Sequence, residues 1–479
     1  RAGKFARMQR PHLSSASASG TTPCLTHGGR PFRPTGVNLG GWLNLEGYML
    51  GLEGTDWQIR AALRRQLGEA PAAAFFAAYE AVFVNEADLR EIARLGFNTV
   101  RLPLNWRRFE DEAAPFAYDE AGFAPVEALL DGCARHGLAV LLDLHAAPGG
   151  QNTTPPADNP TGYPELWQSR HHQDRVVAWW EAMARRCHRH PALLGYNLLN
   201  EPQVNQHGER GQAAQAAAMN DLYGRCIEAI RAIDAHGWIV LSPPVRTSGG
   251  CRPLDPALFA DPHTAMAYHH YPLARHERSI NFEAEQSEED TVEAWYAFLS
   301  KETAEEAAYA EKIRRPVLLG EFGWPQGADP GRATASLRAQ LQLHKDRSWG
   351  WLLWAWKDLQ KLGLFHPVPE QPWVRFVNEP EWRTRLSRCR EAFAATFDGV
   401  FIAELGKSEA NALVYDAAWG DGQRGLNRIL LEHQLRALEG SSPATMAAMA
   451  EAFRLENCRC REELLTLLQA DLPPGSPHG

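Results

Sequence analysis

The feature that most constrains this chain is a repeated alternation. Short apolar runs, the pattern of buried strands, are separated by longer stretches with apolar residues at helical spacing, from Val37 to Asp358. The runs are nearly continuous rather than alternating, as in Leu138-Ala139-Val140-Leu141-Leu142 and Pro316-Val317-Leu318-Leu319. That is how parallel strands covered on both faces look. Helices are expected over 57–95, 123–136, 172–188, 211–235, 290–314 and 330–346. Counting from Val37 gives eight strand segments, and strand-helix alternation over roughly 330 residues predicts an α/β fold, a (β/α)8 TIM barrel.

From about 366 the character changes. Pro-rich connections lead into Ala/Leu/Glu/Arg helices, including 443–454 and 461–469, and then into a Pro/Gly tail. The expected organisation is a disordered lead over 1–29, the barrel over 30–365, and a C-terminal helical extension over 366–479, packed on the barrel and ending in a disordered tail. Packing is preferred to partner binding as the reading of the extension, which carries no catalytic constellation. A net charge of -9 without an acidic or basic block argues against a nucleic-acid partner. No apolar run approaches the roughly 18 residues of a membrane span. Arg1 to Thr22 is basic and then Ser/Ala-rich without an apolar stretch, so it does not read as a secretory signal, and a cytoplasmic location is favoured over a secreted one. The eight Cys are scattered, with no Cys-x-x-Cys pair, and reduced thiols are expected. Neither cofactor nor metal is expected: His171-His172, His188-His190 and His269-His270 lack acidic partners at ligand spacing.

The polar residues that stand out sit at the carboxyl ends of the strand runs, where barrels of this kind place their chemistry. Leu198-Leu199-Asn200-Glu201-Pro202 sets an amide and a carboxylate where the fourth run gives way to a loop, and Pro202 turns Glu201 away from helical angles. Gly320-Glu321-Phe322-Gly323 does the same on the seventh. Acetal cleavage needs one acid that protonates the leaving oxygen and a second, ionised, that meets the developing oxocarbenium. A gap of about 5 to 5.5 Å makes the second a nucleophile with retention, and roughly 6.5 to 9.5 Å admits a water with inversion. Arg101, inside a buried strand, must pair with an acid or a ligand. His145 precedes a Gly-rich loop, His269 and Tyr271 share one strand face, and 153–169 is long enough to wall a cleft. The 16 Trp suit the faces of sugar rings as well as a core.

These segments resemble the family-5 glycoside hydrolases of clan A, and most closely the branch of exo-β-1,3-glucanases and β-glucosidases. The similar text is GVNLGGWLNLEG at 36–47, NTVRLPLNW at 98–106, DLHAAPGGQN at 143–152, LLNEP at 198–202, HHYP at 269–272, LLGEFGW at 318–324 and WLLWAWKD at 351–358. The resemblance implies retaining chemistry through a covalent glycosyl-enzyme, with Glu201 as acid/base and Glu321 as nucleophile. It further implies that Arg101 and Tyr271 support the nucleophile, that Asn200 holds the 2-hydroxyl, and that His145, His269 and Trp354 line the subsite of the cleaved sugar. Glu46 matches the residue that binds the far hydroxyls of a terminal sugar, which would make the enzyme exo-acting on a β-glycoside. The stretch after Asn152 and the stretch from 366 depart from that branch, so glucosides, mannosides and glycolipids all fit the core motifs. Transglycosylation through the same intermediate, and a non-catalytic glycan-binding relative, are the other readings.

Overall fold

The computed structural model describes residues 12–14, 24–27, 30–203, 208–244, 254–271, 291–323, 330–347, 349–359, 362–405 and 409–473. Its centre is a closed barrel of eight parallel strands: β1 Thr35–Asn38, β2 Thr99–Asn105, β3 Ala139–Ala146, β4 Leu193–Asn197, β5 Trp238–Leu241, β6 Thr264–His270, β7 Val317–Phe322 and β8 Gly350–Leu353. Each strand pairs with its sequence neighbours, and β8 closes onto β1 with Trp351 opposite Thr35. The strands are buried along their length, which is why they read as unbroken apolar runs. Close approach of β1 to β2 requires Gly36, where a Cβ would lie 1.7 Å from the Thr99 carbonyl oxygen.

Helices alternate with the strands. The long stretch after β1 divides into α1 Asp56–Leu67, α2 Glu69–Phe83 and α3 Glu86–Arg94. Capping boxes at Thr55 and Asn85 start α1 and α3, each satisfying backbone donors that the first turn leaves open. The stretch expected as one helix over 290–314 is two, Val292–Glu302 and Ala304–Ile313, parted at Thr303. The strand expected to reach Leu199 ends at Asn197, so Asn200 and Glu201 stand in the loop beyond it.

Within 1–29, expected as a disordered lead, strand His12–Ser14 pairs antiparallel with Cys24–His27, which pairs antiparallel in turn with Arg30–Phe32, and the other residues of that segment lie outside the described ones. The tail from 474 also lies outside them. At the other end, helices Pro380–Leu405, Glu409–Leu435, Pro443–Ala450 and Glu462–Gln469 follow the barrel. Phe453 packs against Tyr79 and Phe83 of α2 with ring centroids 5.0 and 5.7 Å apart, so the barrel and these helices share one apolar core. Cys458–Cys460 forms a short strand against Phe365–Pro367, a pairing that composition did not announce. Lys357, just after β8, is fully buried; its ammonium meets Asp88 at 2.5 Å and donates to the carbonyls of Phe83 and Phe453. A cation so placed is tolerable only because every proton has an acceptor. Among the described residues no helix is long and apolar enough to cross a membrane.

Candidate active site

The carboxyl ends of the strands converge on Arg101. This guanidinium, on β2, is fully buried and makes five contacts. It meets Glu321 Oε1 at 2.8 Å and Asp143 Oδ1 at 3.0 Å, and donates to the side-chain oxygens of Asn38, Asn197 and Asn200 at 2.9, 3.1 and 2.8 Å. The buried charge of Arg101 is thus paired with two acids, Asp143 and Glu321.

Glu321 is thereby fixed at both oxygens. Tyr271 donates its hydroxyl to Oε2 at 3.0 Å. Burial, and then the charge of Glu321, push the Tyr271 phenol well above its ordinary range, so it remains a donor at any neutral pH. His269 Nδ1 lies 2.8 Å from Glu201 Oε1 and 3.4 Å from Glu321 Oε2. One oxygen of each carboxylate and a His269 nitrogen lie within 4.8 Å of one another. Sequence spacing offered His269 no acidic partner; two come from elsewhere in the barrel, Glu201 from the loop after β4 and Glu321 from β7. Three such donors could share a cation, but Arg101 already sets a positive charge on Glu321 and Tyr271 occupies its other oxygen.

The two acids differ in setting. The side chain of Glu321 is 6% exposed and that of Glu201 is 27%, so Glu201 faces the opening and Glu321 the interior. Glu201 has a left-handed backbone, φ 43°, which costs a non-glycine residue energy and is held here from outside. Asn152 donates to the Glu201 carbonyl at 2.9 Å, and Gln203 N–H donates to the Gln151 carbonyl at 3.1 Å. Burial alone would raise the Glu201 pKa, but its hydrogen bond to His269 and the charges of His269, His145 and Arg101 outweigh this and hold it below the ordinary carboxylate value.

A second arm of the network runs from Asp143 to Glu46. Asp143 Oδ2 lies 2.7 Å from His145 Nδ1, and His145 Nε2 lies 3.1 Å from Glu46 Oε1. Burial opposes the imidazolium, yet the two carboxylates raise the His145 pKa to about 10. Burial raises that of Glu46, with His145 working against it. Trp354 stacks on His145 at 5.3 Å and donates its indole N–H to the Tyr48 hydroxyl at 2.6 Å. Gly40 leaves room for that ring: a Cβ would lie 2.6 Å from it. All nine residues singled out in the sequence, Glu46, Arg101, His145, Asn200, Glu201, His269, Tyr271, Glu321 and Trp354, thus fall in one connected cluster. Sequence reasoning missed Asp143, Asn38, Asn197 and Tyr48. The signal for Asp143 was present, an acid inside a wholly apolar run, as unusual there as Arg101 is in its own.

A (β/α)8 barrel with one carboxylate just past strand four and another near the end of strand seven, an oxygen of each within 4.8 Å of the other, has the arrangement of a clan A, retaining glycoside hydrolase. The profile described as Cellulase (glycosyl hydrolase family 5) matches residues 69–360, and the chain belongs to that family. It is similar to a beta-xylosidase of Phanerodontia chrysosporium, 29% identical over 90% of this chain and 93% of that one. It is also similar to a probable glucan 1,3-beta-glucosidase A of Aspergillus clavatus, 26% identical over 43% of this chain and 49% of that one. A crystal structure of endogalactoceramidase shares the fold, with a TM-score of 0.53 at 20% identity, covering 73% of this chain and 75% of that one.

Proposed function

We propose that the protein is an exo-acting β-glycosidase that cleaves a terminal β-glucosyl or β-xylosyl unit by double displacement. Glu321 attacks the anomeric carbon and Glu201 protonates the departing oxygen; Glu201 then deprotonates the water that releases the sugar. The observation that carries this reading is the 4.8 Å limit on the Glu201, His269 and Glu321 atoms, with Arg101 and Tyr271 holding both oxygens of Glu321 in line. In this reading Asn200, held by Arg101, takes the 2-hydroxyl, and Glu46 with its partner His145 takes the far hydroxyls of a terminal sugar.

The first step needs Glu201 protonated, whereas His269 favours its ionised form. A leaving-group oxygen that enters at Glu201 displaces His269 from the 2.8 Å bond and removes the largest influence lowering that pKa. In the second step the ionised form is the one wanted. The test is release of nitrophenol from aryl β-glucosides, β-xylosides and β-mannosides, with Glu321→Gln as control. The expected result is turnover of at least one glycoside with retained anomeric configuration, absent in the variant. Turnover that survives in Glu321→Gln, or an inverted product, overturns the assignment.

A further inference from the structure

The segment 143–152 ends in two amides to which the chemistry assigns no part, Gln151 and Asn152. Both are fully buried. A buried amide needs partners for its donors and for its acceptor, and here nearly all of them are backbone groups. The Gln151 oxygen accepts from the N–H of Ala147 at 3.1 Å, and its amide nitrogen donates to the carbonyls of His145 at 2.6 Å and Asn200 at 2.9 Å. The Asn152 oxygen accepts from the N–H and the hydroxyl of Thr154 at 2.8 and 2.7 Å, which turns its nitrogen onto the Glu201 carbonyl at 2.9 Å. The main-chain carbonyl of Gln151 accepts from the N–H of Gln203 and the indole N–H of Trp167 at 3.1 and 3.0 Å.

Glu201 is thereby gripped from both sides. The carbonyls of Asn200 and Glu201 and the N–H of Gln203 all end on residues 151 and 152. Upstream, the N–H of Asn200 donates to the Leu144 carbonyl and Trp180 donates to the Leu198 carbonyl, each at 3.1 Å. Between these ties Glu201 takes φ 43°, a conformation that a residue with a Cβ adopts only when its surroundings impose it. The two acids differ in this respect. Glu321 sits on a strand and is held through its carboxylate by Arg101 and Tyr271. The Glu201 carboxylate meets His269 at 2.8 Å, a bond that a leaving-group oxygen would replace. While it gives its proton away, its aim is therefore set by its backbone.

We propose that Gln151 and Asn152 are positioning residues for Glu201: their amides hold the left-handed turn that aims its carboxyl at the leaving oxygen, and neither touches substrate. The task given to Glu201 rests on the glycosidase reading; the brace itself does not. Gln151→Met keeps the length of the side chain and removes its amide. Asn152→Ala, which leaves the Gln151 ties in place, is the milder variant should the first not fold. The substrates are aryl β-glycosides of the sugar that the wild type cleaves, with leaving groups from 2,4-dinitrophenol to phenol. In the variants kcat/KM should fall about a hundredfold for the phenyl glycoside, and less than about threefold for the dinitrophenyl one, whose leaving group departs without a proton. Azide, a nucleophile that needs no general base, should speed turnover of the dinitrophenyl glycoside in the variants and not in the wild type, forming the glycosyl azide as Glu321 is released. A loss equal for all leaving groups, or no loss, overturns the proposal. A second measurement needs no turnover: in crystal structures of the variants Glu201 should leave the left-handed region and lose its bond to His269. Glu201 unmoved in them overturns the brace. A wild type that cleaves no glycoside, with Glu201 displaced in the variants, keeps the brace and loses the hydrolase assignment.

Discussion

Asp143→Asn tests the buried charge network directly. Asp143 is wholly buried between Arg101 and His145, with oxygens 3.0 and 2.7 Å from them. Removing one partner of a buried pair costs about 3 to 5 kcal/mol, because the cations left behind lose their compensation. Part of that cost depends on pH. The folded His145 pKa of about 10, against 6.5 for the free side chain, corresponds to about 5 kcal/mol at about 1.36 kcal/mol per pH unit. Because the folded pKa is raised, this stabilisation is complete below pH 6.5 and is lost as pH rises through 10. In the variant His145 keeps only Glu46, so less of it remains to lose. Urea unfolding at pH 6.5, 8 and 9.5 should show a gap between wild type and variant that is widest at pH 6.5 and narrows towards the part owed to Arg101. A gap that stays constant from pH 6.5 to 9.5 would refute a charged His145 held by Asp143.

Two further outcomes follow from the geometry. His269→Asn removes the hydrogen bond and charge that depress the Glu201 pKa, so the alkaline limb of kcat/KM should move to higher pH, as the acid form persists longer; a pH–rate profile on the best aryl glycoside checks this, and a limb that stays put or moves down contradicts it. Phe453→Ala should destabilise the whole protein by about 3 to 5 kcal/mol in a single cooperative transition, read by calorimetry, because its ring packs on α2 of the barrel; a separate transition for the C-terminal helices would contradict the shared core.

The barrel and most of the site were legible because their causes are local. Parallel strands buried on both faces leave continuous apolar runs, and a Pro or Gly shortly after several of them, as at Gly40, Pro148, Pro202 and Gly323, marks the tip where a side chain faces the mouth. Arg101 betrayed itself as a charge where none belongs. What sequence withheld depends on closure of the sheet. Asp143 and Arg101 lie on neighbouring strands and His269 and Glu321 on another such pair, but only the register, His269 opposite Glu321 among others, decides which side chains meet. The end of β4 also moved and the helix expected over 290–314 divided at Thr303, because propensity cannot place a boundary that tertiary hydrogen bonds set. Packing of the C-terminal helices on the barrel was the expectation, but the residues that make the contact were invisible for the same reason: Phe453 is an unremarked aromatic in an Ala-rich stretch until α2 is beside it.

That union has a consequence for how the protein is made. Gln469 donates to the carbonyl of Leu95 across 374 residues, and α2 is covered by the segment that ends in Phe453. On a ribosome adding about 5 to 20 residues per second, the apolar flank of α2 waits roughly 20 to 75 seconds for its cover. During that interval the nascent chain carries an uncovered greasy helix beside a half-built barrel, so the birth of this enzyme, more than its finished state, is where chaperone dependence should be felt.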